Sequence, residues 1–352
     1  MTCRQRGEQV PEHSLGLPAE VETCLVGVRS AHLMKVVITG AAGFIGSHLA
    51  EACLTNGWDV VAVDSLTTYY SPTSKVRNAA SLAHHHRCTY HEQDILDLDL
   101  VAVLADTDIV FHLAAQAGVR ASWGQSFDVY TQLNVTVLQR LLEAARHARS
   151  LKSFVFVSSS SVYGDAEALP TSEDQILRPV SPYGATKALG EHLCYLYFRN
   201  YDLPTVMLRY FSVYGPRQRP DMAFYRAIGA GLTGQQFVLF GDGKQTRDFT
   251  FVSDIVKGTI AAGLHGVSGR SYNLGGGQRV SMLETLEVIR GEVGGLEVRN
   301  EPGQRGDARD TAADISRAAA DLGYKPEWDV ERGLHEQVVW HRSLPRFAVA
   351  VG

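Results

Sequence analysis

The fold is decided by one stretch near the start of the chain, Thr39-Gly40-Ala41-Ala42-Gly43-Phe44-Ile45-Gly46. It follows the apolar run 35–39, which predicts a buried parallel strand, and it precedes a helical pattern that runs from Gly46 to about Asn56. Glycines permit a tight turn in which backbone N–H groups approach a pyrophosphate at the positive end of a helix. Strand, glycine loop and helix in this order predict a dinucleotide-binding site.

The sequence also places a carboxylate where dinucleotide-binding sites bind the adenosine ribose. The run 59–64 predicts a second strand that ends at Asp64, 18 residues after Gly46. A carboxylate at this point of the fold accepts hydrogen bonds from the ribose hydroxyls of adenosine. Because Asp64 would repel a 2′-phosphate, the predicted cofactor is NAD.

Apolar strands and helices alternate along the next 150 residues or so. Further strands are predicted at 109–113, 154–157 and 205–208, and a helix at 134–147. This alternation is typical of an α/β fold with a doubly wound parallel sheet, the Rossmann arrangement.

The pattern changes after about Gly215, where short strands, Gly-rich turns and smaller helices predict a C-terminal α/β lobe that binds the substrate. The predicted division has four parts: a disordered leader or misassigned start at 1–33, a Rossmann domain at 34–214, a segment 250–275 that packs back on it, and a substrate lobe at 215–249 and 276–345.

Bulk properties point to a small-molecule partner. The 352 residues carry a formal net charge of −5 without a long basic tract, which argues against nucleic acid. No apolar run reaches the roughly 18 residues that a membrane span needs. Five cysteines without C-x-x-C spacing favour a reducing cytoplasm. The run His84-His85-His86 lacks a carboxylate or Cys at ligand spacing, so no metal is assigned.

A catalytic set suited to hydride chemistry lies downstream. Tyr183 and Lys187 are four residues apart, so on a helix they share one face. A free tyrosine has a pKa of about 10, but a nearby ammonium and a positive nicotinamide ring favour the phenolate. Lys187 is also expected to hold the nicotinamide ribose. A third member is expected in the serine run 158–161, which follows the predicted strand 154–157.

From Met34 to about His341 the chain resembles the extended short-chain dehydrogenase/reductases of the nucleotide-sugar epimerase and dehydratase group. The resemblance is carried by the glycine loop and by His112-Leu113-Ala114-Ala115, Ser159 to Gly164, Tyr183-x-x-x-Lys187 and Arg247-Asp248-Phe249. It implies Ser159 as the hydroxyl that hydrogen-bonds the reacting group, and a homodimer formed through two helices per subunit. The implied cofactor-binding residues are Gly40, Gly43, Phe44, Ile45, Gly46, Asp64, Asp94, Ile95, Ala114, Ala115, Gln116, Asn134, Tyr183 and Lys187.

The resemblance also narrows the reaction. Dehydratases of this group carry an Asp-Glu pair directly after the catalytic hydroxyl, where this chain has Ser160 and Ser161. The related decarboxylases carry a Glu at the position of Ser161. Neutral hydroxyls cannot perform such an elimination, so 4-epimerisation through a 4-keto sugar is expected, with NAD regenerated in each cycle.

The run 209–223 resembles UDP-glucuronate 4-epimerases, whereas galactose epimerases usually have Asn at Ser212. Small hydroxyls leave room for a carboxylate at C6, and Arg219 is a candidate to pair with it or to position its own loop. Arg120 is expected near the substrate or in a structural salt bridge. The implied substrate-binding residues are Arg120, Ser160, Ser161, Ser212, Arg219, Met222, Ala223, Val238, Phe240, Gln245, Arg247 and Asp307.

Two alternatives stay open. The first keeps the reaction and changes the sugar, to UDP-glucose and UDP-galactose or to a TDP-hexose. The second is a non-catalytic NAD-sensing regulator or RNA-binding protein on the same fold. Such proteins typically lose the Tyr or the Lys, and both are present here.

Overall fold

The computed structural model describes residues 33–303 and 308–345. The predicted leader therefore lies outside the described residues, apart from Leu33 at its end. So does Asp307, the last of the predicted substrate contacts.

The strands of the described chain are β1 (Lys35–Thr39), β2 (Asp59–Val63), β3 (Cys88–His91), β4 (Ile109–His112), β5 (Ser153–Ser159), β6 (Thr205–Tyr210), β7 (Ser212–Tyr214), β8 (Phe237–Phe240), β9 (Thr246–Phe251), β10 (Ser271–Leu274), β11 (Arg279–Ser281) and β12 (Val298–Glu301). Seven of them form one sheet in the order β10-β6-β5-β4-β1-β2-β3. Every neighbouring pair in this sheet is parallel. The predicted doubly wound parallel sheet is confirmed.

The α-helices are α1 (Phe44–Thr55), α2 (Pro72–Ala83), α3 (Leu100–Leu104), α4 (Phe127–Thr131), α5 (Val137–Ala145), α6 (Pro182–Tyr201), α7 (Ala223–Thr233), α8 (Val252–His265), α9 (Met282–Val293), α10 (Ser316–Leu322) and α11 (Val330–Ser343). None of the helices in the described residues is both long and apolar enough to cross a membrane.

Helices cover both faces of the large sheet, which is why its strands are nearly continuous apolar runs. On one face, Leu49 of α1 and Ile255 of α8 belong to the same buried cluster as Ile38 of β1. On the other face, Leu138 of α5 packs in a cluster with Val37 of β1. The strand order reverses between β1 and β4, and ligands bind in the crevice at such a point.

Three predicted boundaries were wrong by a few residues. Helix α1 begins at Phe44, inside the glycine loop, because Gly43 has extended backbone and serves as the N-cap. Strand β5 continues to Ser159, so the reacting hydroxyl stands on the last strand residue. The predicted helix 134–147 begins within a π-helical turn, Gln132–Thr136, and α5 ends at Ala145. In each case backbone hydrogen bonding determines where the element begins or ends, and the hydrophobic pattern of the side chains does not predict that position.

Beyond Gly215 the structure has two small sheets, of order β11-β9-β7 and β12-β8. Helix α8 belongs to the main core cluster, and β10 is the seventh strand of the large sheet. The chain therefore returns to the large sheet before it continues into the last helices. The proposed division into a Rossmann domain and a substrate lobe at residues 34–214, 215–249 and 276–345 stays a prediction.

Candidate active site

The glycine loop brings α1 against the ends of β1 and β4. Gly40 has a φ of +72°, and a Cβ there would lie 2.9 Å from the Ala114 nitrogen. A Cβ on Gly46 would lie 2.1 Å from the Gly40 carbonyl oxygen. No side chain fits at either position, so both glycines are required for this packing. The positive end of α1 consequently faces the crevice.

A cavity lies in this crevice and is lined by nearly all of the predicted cofactor contacts: Gly40, Gly43, Phe44, Ile45, Gly46, Asp64, Asp94, Ile95, Ala114, Ala115 and Gln116. Asp64 is held in place at its edge. Its carboxylate accepts hydrogen bonds from the Ala42 nitrogen at 3.0 Å and the Leu66 nitrogen at 2.8 Å. Asp94 is similarly fixed, because it accepts a hydrogen bond from the Leu96 nitrogen at 2.9 Å.

Asn134 departs from the predicted set. Its side chain is 2% exposed and accepts a hydrogen bond from the Gln116 nitrogen at 2.7 Å. Its amide donates to the Gln116 carbonyl at 3.1 Å and to Thr186 Oγ1 at 3.0 Å. The side chain thus has partners within the protein, and the cofactor contact predicted for it stays a prediction. Sequence alone did not reveal this, because the two partners lie 18 and 52 residues away.

Helix α6 presents the Tyr and the Lys as predicted. Ser181 caps the helix by accepting a hydrogen bond from the Gly184 nitrogen at 3.1 Å, and Pro182 occupies its first turn. A Cβ on Gly184 would lie 2.5 Å from the Ser161 carbonyl oxygen. This glycine therefore allows the start of α6 to approach the turn that follows β5.

The close approach brings the three predicted catalytic residues together. Tyr183 and Ser159 line the same cleft, and the Ser159 side chain acts to lower the pKa of Tyr183. Ser159 Oγ also lies 3.1 Å from the Ser161 nitrogen, which donates to it. The ammonium of Lys187 donates to the Val157 carbonyl at 2.8 Å, so it is tied to the strand that carries Ser159.

Burial governs the protonation of this set. Burial raises the pKa of Tyr183 from its ordinary value, while Arg219 and the Ser159 side chain oppose that rise. Burial lowers the pKa of Lys187 to about 8, opposed by Cys194 and Glu191. Arg219 thus also favours the Tyr183 phenolate, and the same effect of Lys187 stays a prediction.

This pKa predicts a pH dependence. Lys187 is charged below its pKa and neutral above it, so its positive charge is lost as pH rises through about 8. We expect kcat/KM, measured from pH 6 to pH 10, to fall on the alkaline side, because the ammonium then no longer holds a ribose hydroxyl or favours the phenolate. A flat profile to pH 9.5 would show that the charge of Lys187 is not needed.

A buried ion pair joins β6 to α6, the helix that carries Tyr183 and Lys187. The Arg209 guanidinium donates to the Glu191 carboxylate through Nε at 3.0 Å and Nη2 at 2.6 Å. The two residues are 5% and 4% exposed, and Ser158 Oγ donates to the same carboxylate. Arg209 lies on β6, Glu191 on α6 and Ser158 on β5, so the Glu191 carboxylate links the helix of Tyr183 both to β6 and to the strand of Ser159.

A larger cleft of about 610 Å³ adjoins the cofactor cavity, which is a size typical of small-molecule sites. Tyr183, Lys187 and Ser159 line it. So do the described residues predicted to bind the substrate, namely Arg120, Ser160, Ser161, Ser212, Arg219, Met222, Ala223, Val238, Phe240, Gln245 and Arg247. The cleft and the cavity share Ala115 and Arg219, so the two are continuous.

Two arginines of the cleft have defined partners. Arg219 donates to Asp221 through Nε at 3.0 Å and Nη2 at 2.9 Å, which suits the predicted role in positioning its own loop. The Arg120 guanidinium lies 4.8 Å from the centre of the Phe240 ring. Asp221 is the one carboxylate residue among the described residues that line the cleft. The hydroxyls of Ser160 and Ser161 occupy the positions at which dehydratases carry their acid pair.

Several lining residues were not predicted from the sequence. Tyr69 and Thr311 line the cleft, and Lys75 lines the cofactor cavity. Tyr69 and Lys75 belong to a segment after β2 that has no glycine motif or hydrophobic period. Thr311 belongs to the C-terminal part of the chain. Only the fold brings these residues to the site.

Within residues 33–303 and 308–345, no group of three His, Cys, Asp or Glu side chains could hold a metal ion. His84 follows the end of α2, and the rings of His85 and His86 stack with their centres 4.7 Å apart.

Comparisons with known proteins place the chain in a family. Residues 36–275 match the NAD dependent epimerase/dehydratase family. The chain is 42% identical over 315 residues to the uncharacterized UDP-glucose epimerase YtcB of Bacillus subtilis (strain 168), covering 88% of this chain and 99% of that protein. It is 37% identical over 320 residues to the UDP-glucose 4-epimerase of Mycolicibacterium smegmatis, covering 88% and 99%.

A solved structure is similar over the same range. The UDP-glucuronic acid 4-epimerase of Bacillus cereus, in complex with UDP-glucuronic acid and NAD, is 43% identical to this chain. It superposes with a TM-score of 0.85 and covers 88% of this chain and 99% of its own.

Proposed function

We propose that this chain, which belongs to the NAD dependent epimerase/dehydratase family, inverts C4 of a UDP-sugar and converts UDP-glucuronate to UDP-galacturonate. One observation carries the proposal: Ser159, Tyr183 and Lys187 line a cleft that is continuous with a glycine-lined cavity, and hydroxyls stand where dehydratases carry acids.

NAD is the cofactor, and the residues present fit it. Gly40 and Gly46 leave no room for side chains at the start of α1, where backbone N–H groups suit a pyrophosphate. Asp64 at the far edge suits a ribose diol, and Asp94 and Ile95 would flank the adenine. When bound, NAD accepts a hydride from C4 of the sugar and returns it to the opposite face.

The chain's own residues handle the proton and the sugar. Tyr183 would take the proton of the C4 hydroxyl as the carbonyl forms, with Ser159 donating a hydrogen bond to the same oxygen. Lys187, held by the Val157 carbonyl, would bind the nicotinamide ribose. The phenol of Tyr183 would then return its proton to the C4 oxygen once the 4-keto sugar has turned over.

The choice of glucuronate rests on the cleft's polar lining. Ser160, Ser161 and Ser212 offer small hydroxyls, and Arg219 offers a guanidinium that suits a carboxylate. The Bacillus cereus relative was solved with UDP-glucuronic acid. UDP-glucose and UDP-galactose, or a TDP-hexose, stay the alternative substrates, since two relatives are named as UDP-glucose epimerases.

Product analysis tests the proposal. The purified protein would be incubated with UDP-glucuronate and with UDP-glucose, and the products separated by anion-exchange chromatography. We expect UDP-galacturonate from the first and little or no UDP-galactose from the second. Turnover of UDP-glucose alone would overturn the choice of glucuronate while leaving the reaction type intact.

Replacement of Arg219 tests whether this side chain holds the C6 carboxylate of the sugar. A 4-keto uronate is a β-keto acid that loses CO₂ unless its carboxylate is held out of alignment with the carbonyl. We expect Arg219→Met to lower kcat/KM for UDP-glucuronate by about tenfold or more, the effect of losing a charge-assisted hydrogen bond. We also expect a UDP-pentose side product, detectable by mass spectrometry. An unchanged kcat/KM without a UDP-pentose product would show that Arg219 does not hold the C6 carboxylate.

A non-catalytic NAD-sensing protein is disfavoured, because Tyr183, Lys187 and Ser159 are all retained and adjoin one cleft. We expect a cytoplasmic enzyme without nucleic-acid or membrane partners.

A homodimer is the proposed assembly. Leu189 and Leu196 lie two turns apart on α6 and are 45% and 51% exposed, which leaves an apolar stripe for a second copy. Sedimentation velocity should give a dimer that Leu196→Glu dissociates. A wild-type monomer would contradict this assembly.

A further inference from the structure

Two buried glutamines hold the loop between β7 and α7, residues 215–222, which carries Arg219 into the substrate cleft. Gln218 lies in the loop itself and is 4% exposed. Gln337 lies on α11 and is 0% exposed. The Gln337 amide donates to Gln218 Oε1 at 2.8 Å, so the contact joins residues that are 119 positions apart.

The two amides fix both ends of this loop. At its start, Gln337 Oε1 accepts a hydrogen bond from the Gly215 nitrogen at 3.0 Å. Gln218 Nε2 donates to the Val213 carbonyl at 3.2 Å. At its end, Gln218 Oε1 accepts from the Tyr225 nitrogen at 3.0 Å, in the first turn of α7, where backbone N–H groups lack partners within the helix. One pair of side chains therefore ties the end of β7 to the start of α7.

The loop depends on such contacts because part of its backbone is strained. Arg217 has a φ of +65°, in the left-handed region that favours glycine. A residue other than glycine keeps this conformation only where the surrounding structure fixes it. On the α1 side, Arg217 Nη2 donates to Glu51 Oε1 at 2.9 Å. On the α11 side, Gln337 holds Gln218. The strained residue is thus secured from two helices.

Arg219 follows Gln218 directly in the chain. Its guanidinium donates to Asp221 of the same loop, so the loop carries the cation and its partner together. A guanidinium pairs with a carboxylate only within a narrow range of distance and direction. The position of the loop backbone consequently determines where the Arg219 charge lies in the cleft.

We propose that Gln337 is a positioning residue for the substrate, which acts through Gln218 to set where Arg219 meets the C6 carboxylate of the sugar. Gln337 is not among the described residues that line the cleft, and it lies beyond residues 36–275, which match the family. The last helix of the described chain then takes part in the choice of sugar. The inference rests on the proposed function, since it assumes a UDP-sugar whose carboxylate is held by Arg219.

Removal of the Gln337 amide should weaken the binding of the sugar and spare that of the nucleotide. Gln337→Met keeps the approximate volume of the side chain and removes its hydrogen bonds to Gly215 and Gln218. We expect Q337M to bind UDP-glucuronate about fivefold more weakly or worse, the effect of a lost hydrogen bond. Binding of UDP should be unchanged, because UDP has no sugar for Arg219 to hold. In the Arg219→Met background, Q337M should cause no further loss.

The experiment is isothermal titration of UDP and of UDP-glucuronate at saturating NAD, into proteins that carry Tyr183→Phe so that the sugar is not turned over. Q337M, R219M and their combination are compared in this background. Glu336→Met is the matched control, because Glu336 is the exposed neighbour of Gln337 on α11, and it should not change the affinity for either ligand. Gln218→Met breaks the same bond from the loop side, in case Q337M does not fold, and should give the same pattern.

Three results would overturn the proposal. The first is unchanged binding of UDP-glucuronate by Q337M or Q218M. The second is an equal loss of affinity for UDP, as expected of a residue that only stabilises the fold. The third is a loss that persists in full when Arg219 is replaced. Unchanged binding of UDP-glucuronate by R219M alone is a different outcome, since it would overturn the carboxylate partner assigned under the proposed function, and the role of Gln337 with it.

Discussion

Replacement of Tyr183 by Phe should lower kcat by about 10³-fold or more, within the range that general acid–base groups contribute. The phenol is the group that we propose takes and returns the proton of the C4 hydroxyl, and Ser159 lines the same cleft. Phe keeps the ring that packs edge to face with Tyr130, their centres 6.3 Å apart. The loss should therefore appear in turnover and not in folding.

The measurement is kcat from product separation at saturating UDP-sugar, together with the NAD content of the purified protein. Tyr195→Phe is the matched control, because Tyr195 lies on the same helix and is 48% exposed. NAD content should be unchanged in both variants. If Y183F retains more than about a tenth of the activity, another group moves the proton and the catalytic assignment is wrong.

Glu191→Gln should destabilise the protein by about 3–5 kcal/mol, the cost of breaking a buried ion pair from one side. Glutamine preserves the volume but leaves the Arg209 guanidinium without its counter-charge at 5% exposure. The Ser158 and Arg209 hydrogen bonds to Glu191 fix α6 against β5 and β6. We therefore expect kcat to fall as well, because the Glu191 carboxylate links α6, which carries Tyr183, to β5, which carries Ser159.

Urea unfolding gives the free energy of unfolding from the midpoint and slope. Glu287→Gln is the control, since it breaks an ion pair with Arg290 on α9 in which the Glu287 side chain is 65% exposed. Exposed pairs contribute about 1 kcal/mol or less, so E287Q should be close to wild type. A loss below about 1 kcal/mol in E191Q would mean that the buried pair does not hold these elements together.

Local sequence rules predicted much of this site because they describe local backbone. A glycine loop between a strand and a helix has few alternative conformations, and Tyr183 and Lys187 share a face whenever their segment is helical. The strand ends that carry Asp64 and Ser159 were located to within two residues. Parallel strands present these ends at one edge of the sheet, so the cofactor cavity and the cleft could be expected to adjoin.

What the sequence did not indicate are contacts between distant segments. The amide of Asn134 bonds Gln116 and Thr186, while its predicted cofactor contact stays a prediction. Arg219, 36 residues along the chain, opposes the rise in the pKa of Tyr183, and no local pattern pointed to it. No periodicity or motif reports which side chain fills which hydrogen bond, since that depends on packing of the whole sheet.

The most direct test of C4 inversion follows the hydrogen at C4. UDP-glucuronate that carries deuterium at C4 would be incubated with the enzyme in ordinary water, and the product analysed by NMR. The account predicts UDP-galacturonate that retains the deuterium at C4, because the same hydrogen leaves and returns within one turnover. Exchange of this deuterium with water, or a product inverted at another carbon, would contradict it.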